Sequence, residues 1–335
     1  MKKHKICKIL LVILAIFLCV AFYELLGICV AYKKQPEVSN TTKKETKNGS
    51  WNECSENTER AVIIEKNPEA LLQRVRLIKN AKKEIILSTF AFQSDESGKL
   101  ILGALHDAAD RGVHIRLLVD GMESWIDMEG NPYFYGLSSH ENVEIKLYNK
   151  ANPLKPWKMM GRMHDKYLIA DGKRYILGGR NTYNYFLGDF PGHKNYDRDV
   201  LVVCDEPEKE NSVNQLLEYF ETIWEQEDSG YFHDNKKLAN RKSVKNAVLE
   251  LQNGYQKYFE ENKERICDTD YTDETFETEK IALVSNPIHT GSKEPVVWYQ
   301  LGELMKNAKN RVKIHTPYII CNDMMYNTWE EIAEN

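Results

Sequence analysis

Apolar positions between residues 60 and 120 follow two different periods in turn. Asn67-Pro68 supplies a capping residue and a first-turn proline for a segment whose apolar residues recur every three or four positions. The mostly apolar segment Ile85–Phe92 predicts a strand, Leu100–Ala109 returns to helical spacing, and Val113–Val119 predicts a second strand. This order predicts a β-α-β unit.

Further short apolar runs follow this unit and end with an amphipathic helix. Because the runs are short and separated by polar turns, they predict strands, and the whole pattern predicts an α/β fold with helices packed on a mixed sheet. The predicted strands are Val143–Leu147, Lys166–Ala170, Arg174–Leu177 and Val200–Val203, and the predicted helix is Leu216–Trp224.

The amino-terminal segment has a different character. Residues 9–32 are apolar except for Glu24 and would form a helix of about 36 Å, enough to cross a bilayer. Four lysines precede this run, as in a signal anchor, and Cys29-Val30-Ala31 offers a poor cleavage site for a signal peptide. We therefore predict an uncleaved anchor in a cell membrane, crossing once. The lysines on its two sides nearly balance, and their slight bias favours an extracytoplasmic body.

Charge separates the anchor from the rest of the chain. Six of the 45 basic residues and one of the 50 acidic residues lie in residues 1–34, so the remainder has a net charge of -10. Such a body should not bind nucleic acid non-specifically, because that binding depends on neutralising phosphates. Residues 33–59 are polar and predict a solvated linker. The seven cysteines include no C-x-x-C pair, and the sequence implies neither a metal nor another cofactor.

An internal repeat divides the remaining chain. The segment Leu77–Phe92 aligns without gaps to Leu304–Ile319, at an offset of 227 residues, and each copy reads as a helix end followed by a strand. We expect a first domain at 60–230, a helical and polar connection at 231–280, and the start of a second, incomplete repeat at 281–335.

The candidate chemistry lies between residues 163 and 186. His164 and Lys166 are two positions apart at the start of a predicted strand, so their side chains leave the same face and can converge on one anion. Asp171-Gly172 predicts a hairpin turn. A neutral histidine can act as nucleophile or as proton donor near neutral pH, and a lysine can bind phosphate oxygens.

The returning strand of this hairpin ends in Gly178-Gly179-Arg180-Asn181. We expect backbone amides, the Arg180 guanidinium and the Asn181 amide to meet His164 and Lys166 at the mouth of the hairpin. A phosphate would fit among them.

The order H-x-K-x4-D at His164, Lys166 and Asp171, followed by Gly-Gly-x-Asn at 178–181, resembles the HKD motif of the phospholipase D superfamily. The Gly-Gly-Arg-Asn run and the later Tyr-Asp-Arg-Asp segment at 196–199 are most similar to the bacterial cardiolipin synthase branch. The resemblance covers about residues 60–335.

The resemblance implies a phosphatidyltransferase that makes cardiolipin from phosphatidylglycerol through a phosphohistidine. It implies catalytic roles for His164, Lys166 and Asp171, and phosphate binding by Lys166, Gly179 and Asn181. It implies no metal. Asp171 is equally well explained as a hairpin turn, without direct chemistry.

Family members use two such motifs, and adding the repeat offset to His164 gives position 391, beyond this chain. We therefore expect the chain alone to be inactive and to need a second copy of itself or a complementing half. The expected partner is a phospholipid in a membrane, and nucleic acid is not expected. The alternatives are another phosphodiesterase of the superfamily, such as a phospholipase or nuclease, and a catalytically dead lipid-binding protein. The loop with Lys155, Trp157 and Lys158 either contacts lipid headgroups or is an ordinary loop.

Overall fold

A computed structural model describes residues 2–48, 59–207, 211–233, 235–316 and 319–334. The chain forms two compact units, Met1–Glu53 with Ala282–Asn335, and Cys54–Ile281. The amino-terminal helices of the first unit are α1 (Lys2–Tyr32) and α2 (Asn40–Asn48). The part Lys5–Tyr32 is long and apolar enough to cross a membrane by length and composition. Cys54 and the rest of residues 49–58 of the expected linker lie outside the described residues.

The second unit contains a nine-stranded sheet and its covering helices. Its elements in chain order are β1 (Arg60–Ile64), α3 (Asn67–Asn80), β2 (Glu84–Thr89), α4 (Glu96–Asp110), β3 (His114–Asp120), α5 (Glu123–Asp127), α6 (Pro132–Ser138), β4 (Val143–Tyr148), β5 (Tyr167–Ala170), β6 (Arg174–Gly178), β7 (Asp199–Val203), α7 (Ser212–Trp224), β8 (Ser229–Tyr231), α8 (Lys242–Glu261), α9 (Lys263–Cys267) and β9 (Phe276–Glu277).

The strand order is β8-β4-β3-β2-β5-β6-β7-β1-β9. Strands β2, β3 and β4 are parallel, and each of the other pairs is antiparallel. Helices α3, α4, α6 and α8 pack with one another over the main hydrophobic core. Helix α7 covers the opposite face, where the Phe220 ring lies against Arg116 of β3 and Tyr167 of β5. The predicted mixed α/β fold is confirmed.

The 231–280 segment is more than a connection. Helix α8 buries Val244, Ala247, Leu251, Tyr255 and Phe259 against α4 and α6. A spacing of three or four residues between these apolar positions explains why one face of the helix is buried. This segment therefore completes the core of the second unit.

The expected second repeat is formed only in part. Helices α10 (Val296–Lys306) and α11 (Asp323–Glu334) are present, but residues 311–316, where a strand was expected, have no regular structure. A strand needs a hydrogen-bonded neighbour, and no strand lies beside this segment in the part of the unit that the structure describes.

The polar linker also differs from a solvated tether. The Glu294 carboxylate accepts hydrogen bonds from the Ser39 amide at 2.8 Å and from the Thr42 hydroxyl at 2.6 Å. Thr42 and Thr46 of α2 are buried. These contacts hold the segment after α1 to the carboxyl-terminal part of the same unit.

Candidate active site at one edge of the sheet

The sheet topology brings the chemistry-bearing residues to a single edge. Strands β2, β3 and β4 end there because they are parallel, and β5 begins there because it is antiparallel to β2. Strand β6 ends at the same edge and β7 begins there. His164, Lys166 and Asn181 therefore lie at the same edge of the sheet although they come from different segments.

His164 lies three residues before the start of β5 and is exposed. Its imidazole packs on the Phe90 ring at a centroid distance of 4.7 Å and a tilt of 57°. Burial of part of the ring, together with the neighbouring Lys166 ammonium, lowers the pKa of His164 from its ordinary value. Within the described residues the imidazole makes no hydrogen bond, so a neutral ring nitrogen is available to react.

Lys166 is 6% exposed, and its Nζ donates a hydrogen bond to the His164 carbonyl oxygen at 2.6 Å. The ammonium also lies 5.3 Å from the centre of the Phe90 ring. Desolvation lowers the pKa of Lys166 to about 8, although Asp165 and Asp197 oppose the shift. No carboxylate among the described residues forms an ion pair with this ammonium, so an anionic ligand would offset its desolvation cost.

Asn181 completes the group from the segment after β6. Its side-chain oxygen accepts a hydrogen bond from the Ala91 amide at 3.1 Å, and the residue is 7% exposed. The parallel bridge between Phe92 and Thr182 holds the two segments together next to this bond. With the oxygen engaged, the NH2 group of Asn181 remains as a donor.

Asp171 lies at the opposite edge of the sheet, apart from the other residues that the sequence predicts as catalytic. Its carboxylate accepts hydrogen bonds from the amides of Lys82, Lys83 and Glu84 at 2.7–3.1 Å. Asp171 has a φ of 54° and is followed by Gly172 at 63°, as expected for a tight hairpin turn. The whole of β5 separates Asp171 from His164, about 13 Å of strand. The turn explanation is therefore correct.

Arg180 is also not a phosphate ligand. The residue is 1% exposed, and its guanidinium donates to the Ile64 and Glu65 carbonyls and pairs with Asp199 at 3.2 Å. Arg74 pairs with the same Asp199 carboxylate at 3.0 Å. Arg180 thus belongs to a buried Arg-Asp-Arg cluster behind the site.

The two glycines before Arg180 allow close packing of strands. A Cβ on Gly178 would lie 2.1 Å from Asp199 Oδ1, and a Cβ on Gly179 would lie 2.1 Å from Asp197 Oδ2. The Gly179 amide donates to the Arg198 carbonyl at 3.4 Å and is therefore already engaged. Phosphate binding would then depend on Lys166 and Asn181.

Asp120 braces the site and was not assigned a role from the sequence. This fully buried residue accepts hydrogen bonds from the Arg162 guanidinium at 3.1 Å and from the Met163 amide at 3.0 Å. Burial raises the pKa of Asp120, and Arg162 opposes that shift. The sequence shows Asp120 only as a single acidic residue at the end of a predicted strand. Its proximity to the segment before His164 becomes visible only in the sheet topology.

A family model described as "Cardiolipin synthase, PLD-like domain" matches residues 74–224, which contain His164, Lys166 and Asn181. Residues 74–224 form a phospholipase D-like domain. The resemblance seen in the sequence to this superfamily is thereby confirmed, whereas the roles of individual residues stay predictions.

Relatives of the phospholipase D-like domain occur in bacteria. An uncharacterized protein of Helicobacter pylori strain J99 is 30% identical over 212 residues, covering 59% of this chain and 39% of the relative. Cardiolipin synthase C of Escherichia coli K12 is 29% identical over 171 residues, covering 47% of this chain and 34% of that protein. The chain thus spans less than half the length of either of these two relatives. Among solved structures, Nuc from Salmonella typhimurium, a phospholipase D family member, is 20% identical with a TM-score of 0.38, covering 52% of this chain and 99% of that chain.

Proposed function

We propose that the chain is a membrane-anchored phosphatidyltransferase of the cardiolipin synthase type, with His164 as its nucleophile. The observation that carries the proposal is the buried Lys166 ammonium, which forms no ion pair with a carboxylate among the described residues, beside the exposed His164 imidazole with its lowered pKa. A phosphodiester supplies the anion that Lys166 lacks and the phosphorus that His164 can attack.

In the proposed reaction a His164 ring nitrogen forms a bond to the phosphorus of phosphatidylglycerol, and the bond from phosphorus to the glycerol headgroup oxygen breaks. Lys166 and the Asn181 NH2 group bind the non-bridging oxygens and stabilise the charge that grows on them. The hydroxyl of a second phosphatidylglycerol then attacks the phosphorus and the phosphorus–nitrogen bond breaks, which gives cardiolipin and frees His164; the hydroxyl proton passes to the group that protonated the first leaving alkoxide. The leaving alkoxide takes its proton from an acid outside this set, supplied by a second copy of the chain or by a complementing half.

We further propose that residues 9–32 remain as a single-pass anchor in the cell membrane, with the phospholipase D-like domain extracytoplasmic. The apolar helix and the cardiolipin synthase relatives fit such an anchor. The net charge of -10 outside the first 34 residues favours a lipid substrate over nucleic acid.

The test is incubation of the full chain, in vesicles, with radiolabelled phosphatidylglycerol, and separately with a DNA duplex. Cardiolipin and an acid-labile label on His164 would support the proposal. DNA cleavage would replace it with a nuclease activity. If neither substrate reacts, including after addition of a complementing second-motif domain, the phosphatidyltransferase assignment is wrong.

A further inference from the structure

Exposed large hydrophobic residues concentrate at the edge that carries His164. Among the described residues of the second unit, ten large hydrophobic side chains are exposed, and six of them lie in segments that begin or end at this edge. These six are Trp125, Ile126, Leu154, Trp157, Met160 and Tyr196. Single exposed apolar residues are ordinary, but a group on one edge marks an interaction surface.

Three of these side chains belong to one segment, residues 150–162, which we call the 150–162 loop. Leu154 is 76% exposed, Met160 58% and Trp157 46%. The loop also contains three lysines and one arginine and no acidic residue. Apolar side chains, a tryptophan and lysines on one segment suit the boundary between the acyl chains and the headgroups of an anionic bilayer.

The base of the loop is fixed by hydrogen bonds. The buried Asn149 side-chain amide donates to the carbonyls of Lys158 at 2.7 Å and Gly161 at 2.8 Å. The Lys158 ammonium pairs with Asp228 at 2.7 Å. Because the base is fixed, the apolar side chains are presented to solvent by a defined structure.

The loop leads directly into the reacting residues. Arg162, at the end of the loop, donates a hydrogen bond to Asp120. The same carboxylate accepts a hydrogen bond from the amide of Met163, the residue before His164. Any surface that the loop touches is therefore brought next to the His164 imidazole.

Charge indicates what that surface is. Lys158 and Arg162 are paired with Asp228 and Asp120, but Lys150 and Lys155 form no ion pair with a described carboxylate. On the neighbouring helix α5, by contrast, Glu123 and Asp127 flank Trp125 and Ile126. We therefore assign contact with an anionic surface to the loop, with α5 as an apolar neighbour that contributes little attraction by charge.

We infer that the 150–162 loop is an interfacial segment that inserts Leu154, Trp157 and Met160 into the headgroup region of an anionic bilayer. The insertion itself is independent of catalysis. That it delivers a lipid phosphodiester to His164 rests on the proposed function.

The insertion can be measured without any activity. In the full chain every natural cysteine except the buried Cys204 is replaced by alanine. One cysteine is then added by the substitution Trp157→Cys and labelled with the fluorophore NBD. The matched control is Lys173→Cys, an exposed position in the β5–β6 turn at the opposite edge. Both are reconstituted in vesicles of phosphatidylglycerol and phosphatidylcholine that contain a shallow nitroxide-labelled lipid.

We expect the nitroxide lipid to quench the label at 157 about threefold more than the label at 173, and Lys155→Glu to reduce the difference. Equal quenching at the two positions would overturn the inference. Concentration-dependent energy transfer between labels at 157 on separate chains, without quenching by the lipid, would also overturn it and would show contact between copies.

Delivery of substrate is tested by a separate comparison. In the variant Leu154→Ala/Trp157→Ala/Met160→Ala, we expect turnover of vesicle phosphatidylglycerol to fall about tenfold, and hydrolysis of the soluble diester bis(p-nitrophenyl) phosphate to stay within about twofold. Equal loss on both substrates would contradict delivery by the loop. Quenching at 157 in a chain without activity on either substrate would leave the insertion standing and count against the proposed function alone.

Discussion

The carboxylate of Asp120 and the guanidinium of Arg162 form an ion pair of 3.1 Å in which Asp120 is fully buried. The second Asp120 oxygen holds the Met163 amide at 3.0 Å. A single acidic residue at the end of β3 thereby fixes the segment that leads to His164.

We expect Asp120→Asn to reduce turnover of phosphatidylglycerol by about tenfold with little change in KM, because the substitution weakens the positioning of His164. Measurement of kcat and KM for Asp120→Asn tests this expectation. The control variant is Asp228→Asn, which removes the ion pair with Lys158 on the 150–162 loop. Equal losses of turnover in the two variants would contradict a special role of Asp120.

Replacement of the proposed nucleophile should separate activity from folding. The exposed His164 contributes little to the core, so we expect His164→Ala to abolish turnover and to change the free energy of unfolding by less than about 1 kcal/mol. Turnover of phosphatidylglycerol and chemical denaturation measure the two effects. His193→Ala, at another exposed histidine, is the control and should keep its activity. A folded His164→Ala protein with near-normal activity would remove His164 from the mechanism.

The pKa of Lys166 predicts a loss of activity in base. Since the lysine carries its positive charge only below a pKa of about 8, kcat/KM should fall about tenfold per pH unit above that value. Lys166→Arg keeps its charge above this range, so this limb of the pH profile should disappear even if the remaining activity is low. A limb that persists in Lys166→Arg would belong to another group.

The buried charge of Lys166 should lower the free energy of unfolding relative to an uncharged side chain at the same position. Its folded pKa is lowered, so between about pH 8 and 10.4 the unfolded state binds more protons, and stability rises with pH in that window. We expect Lys166→Met to raise the free energy of unfolding at pH 7 by about 1–3 kcal/mol while abolishing turnover. Denaturant titration at pH 7 and pH 10 tests this, and a gain of the same size at both values would contradict the charge explanation.

Buried and exposed ion pairs should differ strongly in their contribution to the free energy of unfolding. Asp199→Ala leaves the buried guanidinium groups of Arg74 and Arg180 without their shared carboxylate and should cost about 3–5 kcal/mol. Asp205→Ala removes a pair with Arg174 in which the aspartate side chain is 73% exposed, and should cost less than about 1 kcal/mol. Comparable losses in urea denaturation would show that the cluster has little structural weight.

The sequence predicted local elements well because they depend on local patterns. The segment Val113–Val119 became β3 with a shift of one residue, since apolar residues that first alternate with polar ones and then run together identify a strand that becomes fully buried. Arg180 was misassigned because its partners, among them Ile64, Glu65 and Asp199, lie far away in the chain, and only the fold shows that they surround it. The strand predicted in the second copy of the repeat did not form for a related reason. Its residues have the pattern of a strand, but no strand lies beside them in the described part of the unit.

The bonds from Asp171 to the amides of Lys82, Lys83 and Glu84 bear on the alignment of strands. A slip of one residue between β2 and β5 would turn His164 and Lys166 to the other face of the sheet. By holding the far end of β5 to the start of β2, Asp171 locks the register that keeps both side chains on one face. A carboxylate at the opposite edge of the sheet can thus be as necessary to the arrangement of His164 and Lys166 as the residues around them.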